Sequence, residues 1–450
     1  MTSATENSKK ESTHMQWLVA ILANTSMLTY GLQCGWIACT AKILQSDQSP
    51  TGFPLSDNAI SWLASAPSLS ATISVGIFAY LVDRLGRKPC IIIISVFQAV
   101  CIFHLCPVTT ISLIIARISC GIAGGGCFNV IPIYVKEISQ DSLRGTLGMI
   151  LIIAQNVGIL IIYALGGYLN YQTVLWIVVG VPVVTAVGML RAPESPAYLI
   201  KVGKANVSLH QKASKAYITH LNEMLLDYFC LVIPGIKNKA WGRGFIVMIM
   251  VMVCHGLNGG FTIINYAATI LEKSGVTISP ELQSLSIPTF MILGSLLAMV
   301  CIERLGRKVI LSTSFILSVI SFSSLSAILL IQQQDGYVPG WLPTFIIVLS
   351  VGAYAMGVSP IPFVIMSEMF NFQIRATVMG VLVTLGWLFS FVQLLSFGPI
   401  TNAYGAHASF LCFAVINLVG AFVILVLLPE TRGKTVQEIE LLLEKQLDKK

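Results

Sequence analysis

Long apolar runs that carry no Asp, Glu, Lys or Arg alternate along the chain with short polar segments. Three of these runs cover residues 15–41, 245–271 and 340–367. Each exceeds the ~20 residues that an α-helix needs to cross the hydrocarbon core of a bilayer. Because backbone polar groups inside lipid must bond within the protein, runs of this length predict helices, whereas the strands of a barrel are shorter and alternate in polarity.

The same pattern over the whole chain predicts an all-α membrane protein with twelve transmembrane helices. The predicted spans are 17–40, 57–82, 89–106, 110–135, 145–168, 172–191, 243–271, 280–302, 308–332, 341–369, 376–398 and 405–428. Composition agrees, because 10% of the residues are charged and 55% are apolar. Soluble domains carry about 25% charged residues. We therefore expect the lipid bilayer to surround most of the molecule.

Basic residues lie on one side of the predicted membrane. With the termini and alternate loops placed together, that side holds 24 of the 27 Lys and Arg residues. The positive-inside rule then predicts that both termini are cytoplasmic. The net charge of +7 is spread over these loops, so no nucleic acid is predicted as a partner.

Three charged motifs of the first half recur in the second half, in the same order. Asp83–Lys88 recurs as Glu303–Lys308, 220 positions later, and the other pairs are Glu137…Arg144 with Glu368…Arg375, and Pro193-Glu194-Ser195 with Pro429-Glu430-Thr431. Such a repeat predicts two parallel units of six helices each. The predicted organisation is a tail at 1–16, a bundle at 17–192, a helical linker at 193–242, a bundle at 243–428 and a tail at 429–450.

On these residues the chain resembles the sugar porter family of the major facilitator superfamily. The resemblance also includes Arg117 with Gly121, Pro132-Ile133-Tyr134, Gly145, Pro196, Pro360-Ile361-Pro362 and Gly433. It implies two pseudo-symmetric six-helix bundles, the major facilitator fold, with a small-molecule sugar substrate carried by a monomer in the plasma membrane. Gly35-Trp36, Pro54-Leu55-Ser56 and Ser61-Trp62 are most similar to the insect facilitated trehalose transporter branch.

The repeated charges fall at cytoplasmic helix ends and predict a gating salt-bridge network. We expect Arg84 and Arg144 to reach Glu137, and Arg304 and Arg375 to reach Glu368. These pairs would hold the two bundles together while the central site faces outward. The alternative is that the charges serve only topology and interfacial anchoring. The predicted network is Asp83, Arg84, Arg87, Glu137, Arg144, Glu194, Glu303, Arg304, Arg307, Glu368, Arg375 and Glu430.

The resemblance places a sugar cavity among spans one, five, seven, eight, ten and eleven. Where the family shows two adjacent glutamines in span seven, this chain has His255-Gly256. The predicted substrate-binding residues are Gln155, His255, Asn258, Phe261, Asn265, Tyr354, Phe363 and Trp387. For Asn258 and Asn265, hydrogen bonds between helices are an equal alternative. The departures leave the substrate open among a hexose, trehalose, another polyol and an unrelated solute.

The lack of acidic residues within the predicted spans indicates what drives the proposed transport. Span one carries no acidic residue, and no Asp or Glu lies mid-membrane in any predicted span. Facilitated diffusion is therefore favoured over proton symport, and the absence of a Walker motif disfavours ATP-driven pumping. A non-transporting solute sensor is the alternative from another class. No nucleophile–base pair or metal-ligand cluster is visible, so no enzyme activity, catalytic residue, metal or cofactor is predicted.

Overall fold

The chain folds almost entirely into helices within the residues that the computed structural model describes. These are residues 2–47, 49–100, 109–140, 144–196, 198–199, 239–273, 280–370 and 372–445. Most of the predicted linker, residues 200–238, lies outside the described residues, as does the end of the predicted C-terminal tail. For Arg144 and Arg375 the description covers the backbone helix and not the side chain.

Fifteen α-helices and one π-helical segment follow one another along the described residues. They are α1 Thr2–Leu44, α2 Asp57–Arg84, α3 Arg87–Ala99, α4 Thr110–Ile138, α5 Arg144–Tyr168, α6 Tyr171–Arg191, α7 Lys239–Gly256, α8 Gly260–Lys273, α9 Pro280–Leu305, α10 Arg307–Gln333, α11 Trp341–Ala353, the π segment Tyr354–Val358, α12 Ile361–Met369, α13 Phe372–Tyr404, α14 Ala406–Leu427 and α15 Val436–Lys445.

These helices form the twelve predicted spans. Helices α1 to α6 are spans one to six, α7 with α8 is span seven, and α9 and α10 are spans eight and nine. Span ten combines α11, the π segment and α12, and α13 and α14 are spans eleven and twelve. Among the described residues, ten of these spans are long and apolar enough to cross a membrane by length and composition, and α1 and α3 supply the other two. The predicted all-α, twelve-span fold in two six-helix bundles is confirmed.

Spans seven and ten are not the continuous α-helices that their apolar runs predicted. Span seven breaks between Gly256 and Gly260, where Gly259 adopts φ +101°. A side chain is strained at that backbone angle, so glycine permits the break. In span ten, Pro360 and Pro362 lack amide hydrogens, and the preceding turn widens into the π segment. Prolines remove the i→i−4 bonds that a regular helix needs.

The two repeated turns, Gly86 between α2 and α3 and Gly306 between α9 and α10, lie on one face of the molecule. We call this the motif face. Even-numbered spans all run toward it, since an unbroken series of spans must alternate in direction. The helix α15 follows span twelve and therefore packs on the motif face, where Leu443 lies against Gly244 at the start of span seven.

Candidate functional site

A cavity lies between the two halves and is lined by side chains from both. It contains about 380 Å³ of space that no atom fills, including the part open to solvent. Small-molecule sites are mostly apolar with a few placed polar groups. The lining is Phe128, Gln155, Met252, His255, Phe261, Tyr354, Ser359, Phe363, Val383, Gly386, Trp387 and Ser390.

Aromatic rings from both halves meet at this cavity. Phe128, in span four of the first half, stacks on Phe363 of span ten with centroids 5.7 Å apart. The same ring meets Trp387 of span eleven edge to face at 5.5 Å. Tyr30 and Phe261 also contact the Trp387 ring, at 6.2 and 5.8 Å. The cluster therefore joins the halves and gives the cavity an apolar aromatic wall, against which the C–H face of a ring can pack.

His255 supplies a hydrogen-bond acceptor to the cavity. Its Nδ1 lies 2.8 Å from the carbonyl oxygen of Val358. A carbonyl only accepts, so Nδ1 carries the hydrogen and the neutral ring leaves Nε2 as an acceptor. Residue 362, four positions after Val358, is a proline without an amide hydrogen, so the Val358 carbonyl lacks the i+4 donor of a regular α-helix. The π segment and Pro362 thus fix which nitrogen of His255 is free.

Other polar groups stand around the same ring. Tyr354 stacks on His255 with centroids 6.5 Å apart. Gln155, in span five, is buried and is the polar lining residue of the first half. The Ser390 hydroxyl donates to the Gly386 carbonyl at 2.9 Å and keeps its lone pairs for a ligand. The lining thus combines an amide, an imidazole and hydroxyls with aromatic faces, and it includes no carboxylate.

Six of the eight residues predicted for substrate binding line this cavity, and Asn258 and Asn265 do not. Asn258 is buried and donates to the Asn417 side chain of span twelve, so it makes the interhelical bond that was the alternative. Asn265 donates to the Phe261 carbonyl of its own helix at 2.8 Å. Asn258 lies within the break and bonds span twelve, and Asn265 bonds a carbonyl of its own helix.

The sequence analysis did not predict several of the residues that line the cavity. Phe128 lies in span four, which was not counted among the cavity spans. Ser390 follows Trp387 by three positions, and residues at that spacing share a helix face. That signal was present in the sequence. Ser359 precedes the Pro-Ile-Pro segment, and only the widened π turn places it at the cavity.

A second set of polar contacts closes each repeated turn on the motif face. Carboxylate oxygens of Glu194 accept from the amides of Arg87 and Lys88 at 3.1 and 3.2 Å. In the second half, Glu430 accepts from the amides of Arg307 and Lys308, both at 3.0 Å. These amides are the unpaired first N–H groups of α3 and α10. A carboxylate there satisfies the donors and complements the helix dipole.

The arginine that begins each of these helices pairs with a glutamate near the end of the next span. Arg87 Nη2 lies 2.8 Å from Glu137, whose other oxygen accepts from the Ser195 hydroxyl. We call Arg87, Glu137, Glu194 and Ser195 the first clamp. The second clamp consists of Arg307, Glu368, Glu430 and Thr431, with an Arg307–Glu368 distance of 2.8 Å and a Thr431–Glu368 distance of 2.6 Å. Both arginine side chains are only 9% exposed.

Glycine is required at each repeated turn. Gly86 has φ 98° and ψ 175°, and Gly306 has φ 91° and ψ 166°. Glycine alone adopts this region readily. A Cβ would also lie 2.5 Å from a Glu194 oxygen at the first turn and 2.6 Å from a Glu430 oxygen at the second. The glutamate therefore occupies the space that the missing side chains leave.

The pairing differs in detail from the predicted network. Arg84 lies over the Tyr80 ring at 5.4 Å, and Arg87 rather than Arg84 reaches Glu137. Likewise Arg307 rather than Arg304 reaches Glu368. The reason is the glycine turn, since the arginine after it begins the next helix and points inward. In the second half Glu303 also pairs with Arg307 at 3.0 Å. Asp83 holds the same position in the first motif, and both acidic side chains are exposed.

Both described ion pairs with Glu137 and Glu368 stay within one half, although the prediction expected links between halves. The predicted partners Arg144 and Arg375 have side chains outside the described residues. Tyr198 completes the first turn by donating to the Arg84 carbonyl at 2.7 Å. Burial, and then the charge of Glu194, raise the pKa of this hydroxyl above its ordinary value, so it stays protonated as a donor.

Away from the motif face, polar contacts do cross between the halves. The Tyr163 hydroxyl of span five donates to the Ile264 carbonyl of α8 at 2.6 Å. Asn156 of span five donates to Ser295 of span eight at 2.9 Å. Tyr163 lies near the end of α5 that is far from the motif face. The Tyr163 contact therefore links the two halves on the side of the molecule far from the motif face.

Comparison with known proteins gives one family. A model of the family described as "Sugar (and other) transporter" matches residues 16–443. The chain is 26% identical to the "Facilitated trehalose transporter Tret1-2 homolog" of Drosophila sechellia, over 97% of this chain and 92% of that protein. It is 25% identical to the "Facilitated trehalose transporter Tret1" of Culex quinquefasciatus, over 95% and 86%.

Solved structures share the fold at lower identity. The proton:xylose symporter XylE, bound to 6-bromo-6-deoxy-D-glucose, superposes with a TM-score of 0.74 at 18% identity, covering 96% of this chain and 99% of that chain. The xylose transporter XylE from E. coli in a partially occluded inward open conformation gives a TM-score of 0.74 at 18% identity, covering 94% and 100%. Both likenesses establish the major facilitator fold.

Proposed function

The chain belongs to the Sugar (and other) transporter family, and on that premise we propose that it carries a sugar across the plasma membrane by facilitated diffusion. Trehalose or a hexose is the proposed substrate, and the two halves expose the cavity to one side of the membrane at a time. The observation that carries this proposal is the cavity between the halves, with aromatic faces beside an amide, an imidazole and hydroxyls. Its curated relatives are named facilitated trehalose transporters.

The chemistry of the lining fits a neutral polyhydroxy solute. Sugar hydroxyls both donate and accept, so a site needs both kinds of group within reach. Gln155 offers both, His255 offers an acceptor at Nε2, and Trp387 offers a ring face. The lining includes no charged side chain that would demand a charged ligand.

The proposal of transport without proton coupling is supported by the surroundings of Arg117, the buried cation of span four. Its Nε donates to the Leu63 carbonyl at 2.9 Å and its Nη1 to the Gln33 carbonyl at 2.7 Å. The guanidinium lies 6.0 Å from the Trp36 ring. Among the described residues no carboxylate pairs with Arg117. Backbone carbonyls do not titrate, so this pairing offers no proton to couple to a gradient.

The orientation proposed is the one that the basic loops favour. The motif face, with both repeated turns, faces the cytoplasm, as the positive-inside rule requires. The clamps would then keep each half's cytoplasmic rim rigid as the halves rock. A latch that joins the halves would run through Arg144 and Arg375. The cavity is complete within one chain, which is consistent with a functional monomer.

Uptake into proteoliposomes tests the proposal. Purified protein would be reconstituted and offered labelled trehalose, glucose, fructose and polyols, with and without a pH gradient. We expect saturable uptake of at least one sugar that stops at equal concentrations inside and outside. Accumulation above equilibrium that follows the pH gradient would contradict facilitated diffusion. Absence of saturable uptake for every sugar, in vesicles that hold folded protein, would contradict sugar transport.

A further inference from the structure

Polar side chains from spans eleven and twelve close around the break in span seven. Thr262, Gln393 and Asn417 are each less than 3% exposed. Together with Asn258 we call them the hinge clasp. None of the four lines the cavity, so the proposed function does not account for them.

A break inside a span creates unpaired backbone groups. The last carbonyls of α7 and the first amides of α8 have no partners within their own helices. In the membrane interior no bulk water is present to satisfy them, and each unsatisfied group costs several kcal/mol. The break therefore needs side-chain partners from neighbouring spans.

Gln393 bonds both sides of the break. With its amide oriented to suit its partners, the nitrogen donates to the Gly256 carbonyl at the end of α7. The oxygen accepts from the Gly259 amide at 3.1 Å and from the Thr262 hydroxyl at 2.8 Å. One side chain of span eleven thus links the end of α7 to the beginning of α8.

Asn417 fixes the residue between the two helices. It accepts from the Asn258 side chain and donates to the Asn258 carbonyl at 2.8 Å. The Asn258 side-chain oxygen in turn accepts a hydrogen bond from the amide of Gly260, the first residue of α8, at 3.2 Å. Span twelve therefore also holds the hinge, through Asn258.

The angle of α8 bears on the contact that links the halves far from the motif face. Ile264 of α8 accepts the hydrogen bond from Tyr163 of the other half. If α8 tilts about the hinge, the Ile264 carbonyl leaves Tyr163. The clasp lies one turn of helix from this contact and sets the tilt of the segment that carries it.

We propose that Gln393 and Asn417 are positioning residues, which hold α8 at the angle that closes the extracellular mouth. This inference rests on the proposed transport function. Loosening the clasp would make α8 tilt more readily and would favour the outward-open state. The two amides act through α8 and not through contact with the substrate.

Hydrogen–deuterium exchange of the purified full chain tests the hinge without any substrate. We expect Gln393→Leu and Asn417→Leu each to raise exchange about 2- to 10-fold in peptides covering 256–266, the effect of losing one typical hydrogen bond. Thr262→Val should raise it in the same peptides, and Thr262→Ser should restore it. This pair keeps the test informative if either amide variant fails to fold.

Gln98→Leu is the matched control, because Gln98 is an equally buried amide in span three that bonds Ser26 and does not touch the hinge. It should leave exchange at 256–266 unchanged. Unchanged exchange in all clasp variants would overturn the inference. An equal rise over every span of the second half would also overturn it, since that result means general destabilisation.

Transport supplies the second readout. In the clasp variants we expect the half-saturation concentration to fall about 2- to 10-fold from the extracellular side and to rise from the cytoplasmic side, since the outward-open population grows. If the half-saturation concentration falls on both sides of the membrane, or rises on both sides, that result would contradict a role in positioning. If the unmutated protein moved no sugar while exchange behaved as expected, the proposed function would fail and the hinge assignment would stand.

Discussion

His255 donates its Nδ1 hydrogen to the carbonyl oxygen of Val358 at 2.8 Å, across the gap between spans seven and ten. This contact joins a cavity side chain to a backbone carbonyl whose i+4 donor is missing because residue 362 is a proline. It fixes the ring orientation and keeps the Nε2 lone pair toward the cavity. A single residue therefore serves both the helix packing and the proposed ligand contact.

Replacing His255 should separate these two roles. His255→Leu removes the acceptor and leaves the Val358 carbonyl unpaired, whereas His255→Gln retains a donor and an acceptor. We expect His255→Leu to raise the half-saturation concentration for uptake about 2- to 10-fold, and His255→Gln to change it much less. Equal effects of the two variants in proteoliposome uptake would argue against a hydrogen bond from substrate to this ring.

Trp387 should be needed for uptake because it is the ring on which aromatic groups of both halves converge. Trp387→Ala is expected to lower uptake at least about tenfold at subsaturating sugar, while Trp387→Phe retains most of it. Trp341→Ala is the control, because Trp341 is 63% exposed and lies outside the cavity. Surface abundance of each variant must be measured with uptake, and normal uptake by folded Trp387→Ala would refute the stacking role.

Asn265→Ala should leave the half-saturation concentration unchanged. The Asn265 amide donates to the Phe261 carbonyl of its own helix and lies outside the cavity lining. Uptake kinetics of the variant check this expectation. A rise comparable with that of His255→Leu would show that Asn265 reaches the substrate in another conformation.

The clamps should contribute to stability in the same way in both halves. Glu137→Gln leaves the nearly buried Arg87 without its described counter-charge, a loss of about 3 kcal/mol. Glu368→Gln leaves Arg307 with only the exposed Glu303 as a partner, so we expect a loss in the same direction that is somewhat smaller. Glu303→Gln removes the other carboxylate on Arg307, but Glu303 is 67% exposed and the loss should be about 0–1 kcal/mol. Thermal unfolding in detergent measures all three. Equal shifts for Glu303→Gln and Glu368→Gln would contradict this ranking.

Gly86→Ala should be more harmful than a glycine substitution that meets only backbone strain. At Gly86 the new Cβ adds a clash with Glu194 to the cost of the backbone angle, about 1–3 kcal/mol by itself. Gly433 also has positive φ, 63°, but no atom lies within 4 Å of its Cβ position. The melting temperature of Gly86→Ala should therefore fall further than that of Gly433→Ala, and the reverse order would exclude the clash.

The sequence indicated the spans and the duplication because both depend on local signals. Charge-free runs reveal helices that cross lipid, and the recurrence of Asp83–Lys88 as Glu303–Lys308 reveals the two halves. Which arginine pairs with Glu137 was beyond that reasoning. It depends on the direction in which the chain leaves Gly86, a property of the backbone angle and not of the spacing.

The cavity was predicted in part for a similar reason. Periodicity placed His255, Phe363 and Trp387 on the correct spans, and these side chains line the cavity. The break after Gly256 turned Asn258 toward span twelve, and the π segment brought Ser359 inward. Both are departures from regular helix geometry, and helix periodicity alone does not predict which side chains such departures turn toward or away from the cavity.

Each clamp draws its described partners from one half only. Glu137, Glu194 and Ser195 serve the first helical turn after Gly86, and Glu368, Glu430 and Thr431 serve the turn after Gly306. The groups that complete each rim thus come from one half of the chain, with Glu194, Ser195, Glu430 and Thr431 supplied by the segment that directly follows the sixth span of that half. Among the described contacts, neither rim needs a side chain from the other half, so the halves can move relative to each other without breaking either clamp.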